Sequence, residues 1–437
     1  MAAVPFETAL AAAGVGAFQK RLIGIFGLVW AADAMQVLAI GFTAPSIAAT
    51  FGLSVPQALQ TGTLFFLGML IGASLFGRLA DRFGRRRVLI ATVLIDAVFG
   101  LLSAVAPGFG WLLALRFLTG LGVGGTLPVD YAMMAEFLTP DRRGRWLVVL
   151  EGFWAVGTVL VALAAWAAQA GGGEDAWRTI FLATGAPALI GLLLRLWVPE
   201  SPLYLLRTGR GREARAVLER IAHANGRTAP AVELAETREA QPGLAALFSG
   251  VLLRRTLLVL VAWLLVSVSY YGVFVWLPAR LAGQGFGFVR GHLFLVVLAL
   301  AQLPGYALAA YGVEQWGRRP TLIGFLVLSA AGCFLYAVTT SAPLVAGSMI
   351  VMSFALLGTW GSLYAFTPEL YPTTLRATGM GAAGTMARLG GLLAPSAMAP
   401  VVASGFGTAL AVFAALLLVA AGAVAAIGVE TRNVPLA

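Results

Sequence analysis

The chain has 437 residues, of which 60% are hydrophobic and only 11% charged, and its mean hydropathy is +0.90. That balance excludes a soluble globular domain. The formal net charge of +10 is scattered over several loops rather than gathered in one patch, which excludes a nucleic-acid surface.

The first residues, MAAVPFETALAAAGVGAF, have no basic segment ahead of an apolar core. They read as a cytoplasmic lead-in rather than a cleaved signal. Apolar stretches long enough to cross a bilayer, about 20 residues each, then follow near 23–47, 60–80, 88–106, 111–137, 146–168 and 178–198. Charges inside such stretches are costly and point to function. Asp33 lies about halfway along the first span, with Gln36 one turn later. Asp96 lies midway in the third, where it reads as a cap or an orienting group. Arg116 lies in the outer half of the fourth, Asp130 in its inner part, and Glu151 in the inner part of the fifth, beside Trp154. Gly120, Gly122, Gly124 and Gly125 have no strand before them, so they read as close helix packing rather than a phosphate loop.

The polar segment 199–254 separates two halves. Its Leu205, Leu206, Ala214, Val217, Leu218 and Ile221 recur at helical spacing opposite arginines, as in amphipathic helices lying along the inner face. Six more apolar stretches follow near 256–279, 292–311, 320–339, 343–366, 378–402 and 408–428. Tyr270 and Tyr271 fall in the seventh, Gln302 in the eighth, Trp360 and Tyr364 in the tenth. Arg388 falls near the middle of the eleventh. Aromatic faces stack on flat ligands, and a guanidinium grips a carboxylate with a two-pronged fork. For any single aromatic the alternative is helix packing, and for Arg388 it is a pairing with an internal acid such as Asp33. Cys333 is the only cysteine, so no intrachain disulfide or cysteine metal cluster is expected. The two histidines have no partner at metal-ligand spacing, and no cofactor loop is present.

The halves are copies. Asp81 and Glu314, Arg85 and Arg318, Glu136 and Glu369, Arg143 and Arg376, Trp30 and Trp263, Tyr131 and Tyr364, and Gly157 and Gly390 all lie 233 residues apart. A duplicated hydrophobic half is how many membrane transporters are built, with the substrate site at the midplane between the copies. The arginines gather in alternate loops, whereas 48–59, 107–110, 340–342 and 403–407 are uncharged. This positive-inside pattern puts both termini and the central segment in the cytoplasm. Asp81, Arg82, Arg85, Glu136, Arg143, Glu314, Arg318, Glu369 and Arg376 therefore form a candidate cytoplasmic gate. Partly exposed ion pairs worth about 0–1 kcal/mol each suit a gate that must open and close.

GRLADRFGRRR resembles the signature loop of the major facilitator superfamily. RFLTGLGVGG, PESPLYLLRTGR and VETRNVPL resemble its sugar-porter and organic-ion branches. ADAMQV, LPVDYAMMAEFLTPDRRGR, SYYGVFVWLP and ELYPTTLRATGMG are similar to metabolite:proton symporters near niacin transporters and synaptic-vesicle-glycoprotein-like proteins. The resemblance implies twelve transmembrane helices in two six-helix bundles, an all-α membrane protein. The expected parts are a first bundle over 1–198, a cytoplasmic linker over 199–254 and a second bundle over 255–437. It also implies a proton switch made by an aspartate in the first span and an arginine at the start of the fourth, positions held here by Asp33 and Arg116. Asp130 and Glu151 are further candidate proton carriers. Gln36 stands where several relatives carry a carboxylate. Organic-cation relatives have an acid near Arg388, and organic-anion relatives a base.

The expected protein is therefore a monomeric secondary transporter in the cytoplasmic membrane, not an enzyme. It takes a small organic anion such as nicotinate with protons. The rivals are an exporter of drugs or organic cations by proton antiport and a transporter-shaped receptor that moves nothing.

Overall fold

A backbone in hydrocarbon must satisfy its own polar groups, so apolar stretches of this length become helices. The computed structural model describes residues 3–170, 175–235, 244–283, 292–372 and 375–432. A short strand β1 (Ala3–Val4) and helix α1 (Phe6–Ala13) open the chain. The first bundle follows: α2 (Ala17–Phe51), the one-turn α3 (Val55–Ala58), α4 (Gln60–Phe83), α5 (Arg85–Ser103), α6 (Phe109–Glu136), α7 (Pro140–Ala170) and α8 (Ala176–Arg195). The linker contains α9 (Pro202–Arg207), α10 (Gly211–Ala224) and β2 (Glu233–Leu234). Residues 236–243 of the expected linker lie outside the described residues. The second bundle is α11 (Gly250–Gly283), α12 (His292–Gln315), α13 (Arg318–Val338), α14 (Ala342–Glu369), α15 (Arg376–Ser396), the short α16 (Ala399–Ala403) and α17 (Phe406–Ile427).

Twelve long helices thus occupy the twelve apolar stretches. Ten of them are long and apolar enough to span a membrane by composition alone. The other two are α5, which carries Arg85, Arg86, Arg87 and Asp96, and α8, whose apolar part is short, Ala176–Leu192.

The expected lead-in is folded. Phe6 and Leu10 of α1 are buried, and β1 pairs in parallel with β2. Asn225 at the end of α10 fastens the two segments: its Nδ2 donates to Gly14 O at 2.8 Å, and its Oδ1 accepts from Phe18 N at 3.0 Å.

The two copies make the same contacts. A Cβ on Gly157 would lie 2.2 Å from Ala31 O and 2.8 Å from Ala34 Cβ. One on Gly390 would lie 3.0 Å from Leu264 O and 2.5 Å from Ser267 Cβ. Each of those four partners is also 233 residues from its counterpart. Only glycine lets α7 approach α2, and α15 approach α11, this closely. Gly84 and Gly317 turn the chain at φ +100° and +105°, in the left-handed region that glycine enters freely.

Between the bundles, the end remote from the arginine loops is packed shut. Phe66 of α4 meets Tyr271 of α11 with ring centroids 4.7 Å apart. A Cβ on Gly41 of α2 would lie 2.5 Å from Val275 O of α11, and one on Gly391 of α15 would lie 2.3 Å from Phe66.

Candidate functional site

The midspan aromatics meet at the bundle interface. Trp154 Nε1 on α7 donates to Tyr270 OH on α11 at 2.9 Å. Tyr270 stands edge-on to Trp360 of α14 at 5.8 Å, and Trp360 to Trp263 of α11 at 5.3 Å. Trp263 meets Tyr364 at 4.9 Å, Tyr364 meets Tyr131 of α6 at 5.9 Å, and Tyr131 meets Trp30 of α2 at 6.3 Å. The belt crosses the interface twice, through Trp154–Tyr270 and Tyr131–Tyr364. Trp154, Tyr270, Tyr271 and Trp360 are all buried.

Charged groups sit within this belt. Arg388 on α15, 9% exposed, lies in electrostatic reach of Tyr364, Tyr271 and Asp33. It donates Nη1 to Gly384 O at 2.8 Å, while its Nε has no hydrogen-bond partner among the described residues. Glu151 on α7 is buried and lies in electrostatic reach of Tyr131, Tyr271, Tyr306 and Tyr364. One of its oxygens, the indole N–H groups of Trp30 and Trp360, and both amide atoms of Gln302 are buried without a hydrogen-bond partner among the described residues. Buried polar atoms are ordinarily paired, so this set is suited to a bound ligand. Asp130 is buried on α6, one residue before Tyr131. Sequence reasoning did not assign Tyr131, Tyr306, Trp30 or Trp263 to the site. Three of them were visible as repeat partners, and only the structure turns Tyr306 inward.

The expected pairing of Arg116 with Asp33 is corrected. Arg116 donates Nη1 to Gln36 Oε1 at 2.8 Å and Nη2 to Gln36 O at 2.9 Å. Phe65 and Phe181 hold its guanidinium at 4.6 and 4.7 Å from their ring centroids, and the acid in electrostatic reach is Asp96. Gln36, one turn beyond Asp33, fills the space in front of the arginine. It therefore belongs to this centre inside the first bundle and not to the aromatic site. Asp96 is part of an ionic centre rather than a cap. A Cβ on Gly100 would lie 2.3 Å from Gln36 Nε2 and 3.7 Å from Asp96 Oδ1, so glycine leaves room for both groups.

At the basic end, Arg85 pairs with Glu136, and Arg318 pairs with Glu369 at 3.1 Å. Ser201 donates to Glu136 and Thr431 to Glu369. The Glu200 carboxylate accepts the Arg86 N–H at 3.0 Å, and that of Glu430 accepts the N–H groups of Arg318 and Arg319 at 2.9 and 3.0 Å. Each bundle is latched on itself. Asp81, Arg82 and Glu314 are exposed and make no ion pair among the described residues. Arg376 donates Nε to Pro368 O at 3.0 Å, and the Arg143 side chain lies outside the described residues. Removing one partner, as in Glu369→Gln, is expected to cost the second bundle about 1 kcal/mol of stability at its basic end. Thermal unfolding of the purified chain would register the change, and an unchanged midpoint would show that the latch carries no weight.

A family model described as Major Facilitator Superfamily matches residues 25–395. The chain is 35% identical to the niacin transporter of Acinetobacter baylyi over 428 residues, covering 96% of both proteins. It is 33% identical to a putative niacin/nicotinamide transporter of Bacillus subtilis, covering 96% of this chain and 98% of that protein. It is 31% identical to the synaptic vesicle 2-related protein of Rattus norvegicus, covering 98% and 81%. The fold is similar to that of the proton:xylose symporter XylE bound to 6-bromo-6-deoxy-D-glucose, with TM-score 0.77, 20% identity and coverage of 96% and 97%.

Proposed function

Because the chain belongs to the major facilitator superfamily and is a multi-pass membrane transporter, we propose that it carries a small aromatic monocarboxylate such as nicotinate into the cell together with a proton. The observation that carries the reading is that buried Arg388, among the belt's tyrosines, lies in electrostatic reach of buried Asp33. They belong to opposite bundles, α15 and α2. The distance between charges on opposite bundles changes when the bundles rock, and their interaction with it. The Arg116 centre lies wholly within the first bundle and rides along with it.

The mechanism follows from charge. With the site empty, Asp33 neutralises Arg388. A substrate carboxylate takes the free edge of the guanidinium, and its ring lies against Tyr270 and Trp360. The enclosed site then holds the substrate carboxylate, Asp33 and Glu151 against one guanidinium. Uncompensated charge at the middle of a membrane is costly, so a proton on Asp33 travels with the substrate. The niacin transporters that the chain resembles support this class of substrate. The basic end is the cytoplasmic face on the positive-inside rule.

Glu151 among four tyrosines favours a second reading, an organic cation moved by antiport, because a buried carboxylate ringed by aromatics is what such a ligand requires. Proteoliposomes decide. Labelled nicotinate is expected to accumulate above equilibrium on an inward proton gradient and to leak out when a protonophore is added. Uptake of labelled amines with none of nicotinate would replace the first reading with the second.

A further inference from the structure

A second concave site lies outside the membrane core, at the basic end of the first bundle. It is a cleft of about 280 Å³ between the start of α5, the end of α8 and the linker helix α10. Its basic wall is Arg86, Arg87, Arg210 and Arg220; its acids are Glu200 and Glu213. Both acids are engaged. Arg210 grips Glu213 with Nε and Nη2 at 2.7 and 2.6 Å, and Glu200 accepts the backbone N–H groups of Arg86 and Ser201 at 3.0 and 2.9 Å.

Three guanidiniums are left without a carboxylate among the described residues. Arg86 gives Nε to Val198 O and Nη2 to Leu196 O, which leaves its Nη1 edge for a ligand, and Arg220 gives one donor to Trp197 O. Arg87 is exposed. Arg21 adds a further positive charge, lying 4.0 Å from the Trp197 ring that Arg220 also covers at 4.7 Å. Burial, and then the neighbouring Arg21 and Arg86 charges, hold the Arg220 guanidinium below its ordinary value. Like charges gathered in a cleft favour an anion. The opposite rim is apolar: Phe83, Leu196, Val198 and Pro199, of which Phe83 and Leu196 are 49% and 57% exposed. This rim adjoins the ends of two membrane-spanning helices, so the cleft joins a basic floor to the level where lipid headgroups begin.

The structure assigns this cleft to a phosphate group, held by the forks of Arg86, Arg87 and Arg220, either in an anionic phospholipid headgroup or in a soluble phosphate. The apolar rim fits the glycerol end of a lipid and has no counterpart in free phosphate. The site does not depend on what the transporter carries.

The test uses the full chain purified in detergent, with delipidated samples compared by thermal unfolding and by native mass spectrometry. Phosphatidylglycerol is expected to raise the unfolding midpoint and to remain as a bound adduct, whereas phosphatidylcholine does neither. Arg87→Gln, an exposed change that leaves packing intact, and Arg220→Gln should each weaken the phosphatidylglycerol effect about tenfold. Arg212→Gln, on the same helix but outside the cleft, should not. Equal protection by inorganic phosphate, lost in the same variants, would assign the soluble source. If neither phosphatidylglycerol nor phosphate distinguishes the wild type and Arg212→Gln from Arg87→Gln, the assignment is wrong, whatever Arg220→Gln does to folding.

Discussion

Arg388→Ala is expected to weaken nicotinate binding roughly ten- to a hundredfold, the value of a charge-assisted contact of about 1.5–3 kcal/mol. One nitrogen of the guanidinium is tied to Gly384 O, and the unpartnered Nε lies on the edge left for a carboxylate. Lysine should recover only part of the loss, because a point charge lacks the fork. Nicotinamide has the same shape without the charge. It should bind the wild type poorly and be little affected by the substitution. If Arg388 serves only to neutralise Asp33, the two ligands would instead lose affinity equally. Titration of both ligands on both proteins separates the cases.

Asp33→Asn is expected to abolish proton-driven accumulation while leaving binding and exchange of substrate measurable. Asparagine keeps the outline of the side chain and carries no proton. It also leaves Arg388 without its counter-charge across the interface, so the substrate carboxylate should bind at least as tightly as before. A variant that exchanges but does not concentrate substrate separates coupling from recognition. If Asp33→Asn accumulates nicotinate normally on a pH gradient, another acid carries the proton. Glu151, in electrostatic reach of the same Tyr271 and Tyr364, would then be tested first.

The helices were legible because hydrocarbon leaves the backbone little choice. The duplication was legible because rare charges recur at a fixed separation. The central site was partly legible: a midspan arginine and midspan aromatics have few reasons to exist, and Tyr270, Trp360 and Arg388 do gather at the interface. What could not be read was which polar groups satisfy one another. Asp33 and Gln36 are one turn apart on α2, and a small rotation of that helix decides which of them meets Arg116. The latch was half legible. Arg85–Glu136 and Arg318–Glu369 follow the 233-residue register, but Glu200 and Glu430 lie 230 residues apart, as do Ser201 and Thr431. A search at one fixed separation passes over them.

Those latch residues bear on how the molecule arose. Glu200 and Ser201 follow the last helix of the first bundle and close onto it; Glu430 and Thr431 follow the last helix of the second and do the same. The ancestral segment that doubled was therefore longer than six helices, since it already carried the acidic tail that locks its own inner end. What now looks like the start of a connector and what looks like a loose terminus descend from one piece of chain. Each copy has kept that tail as the closing hook of its own bundle.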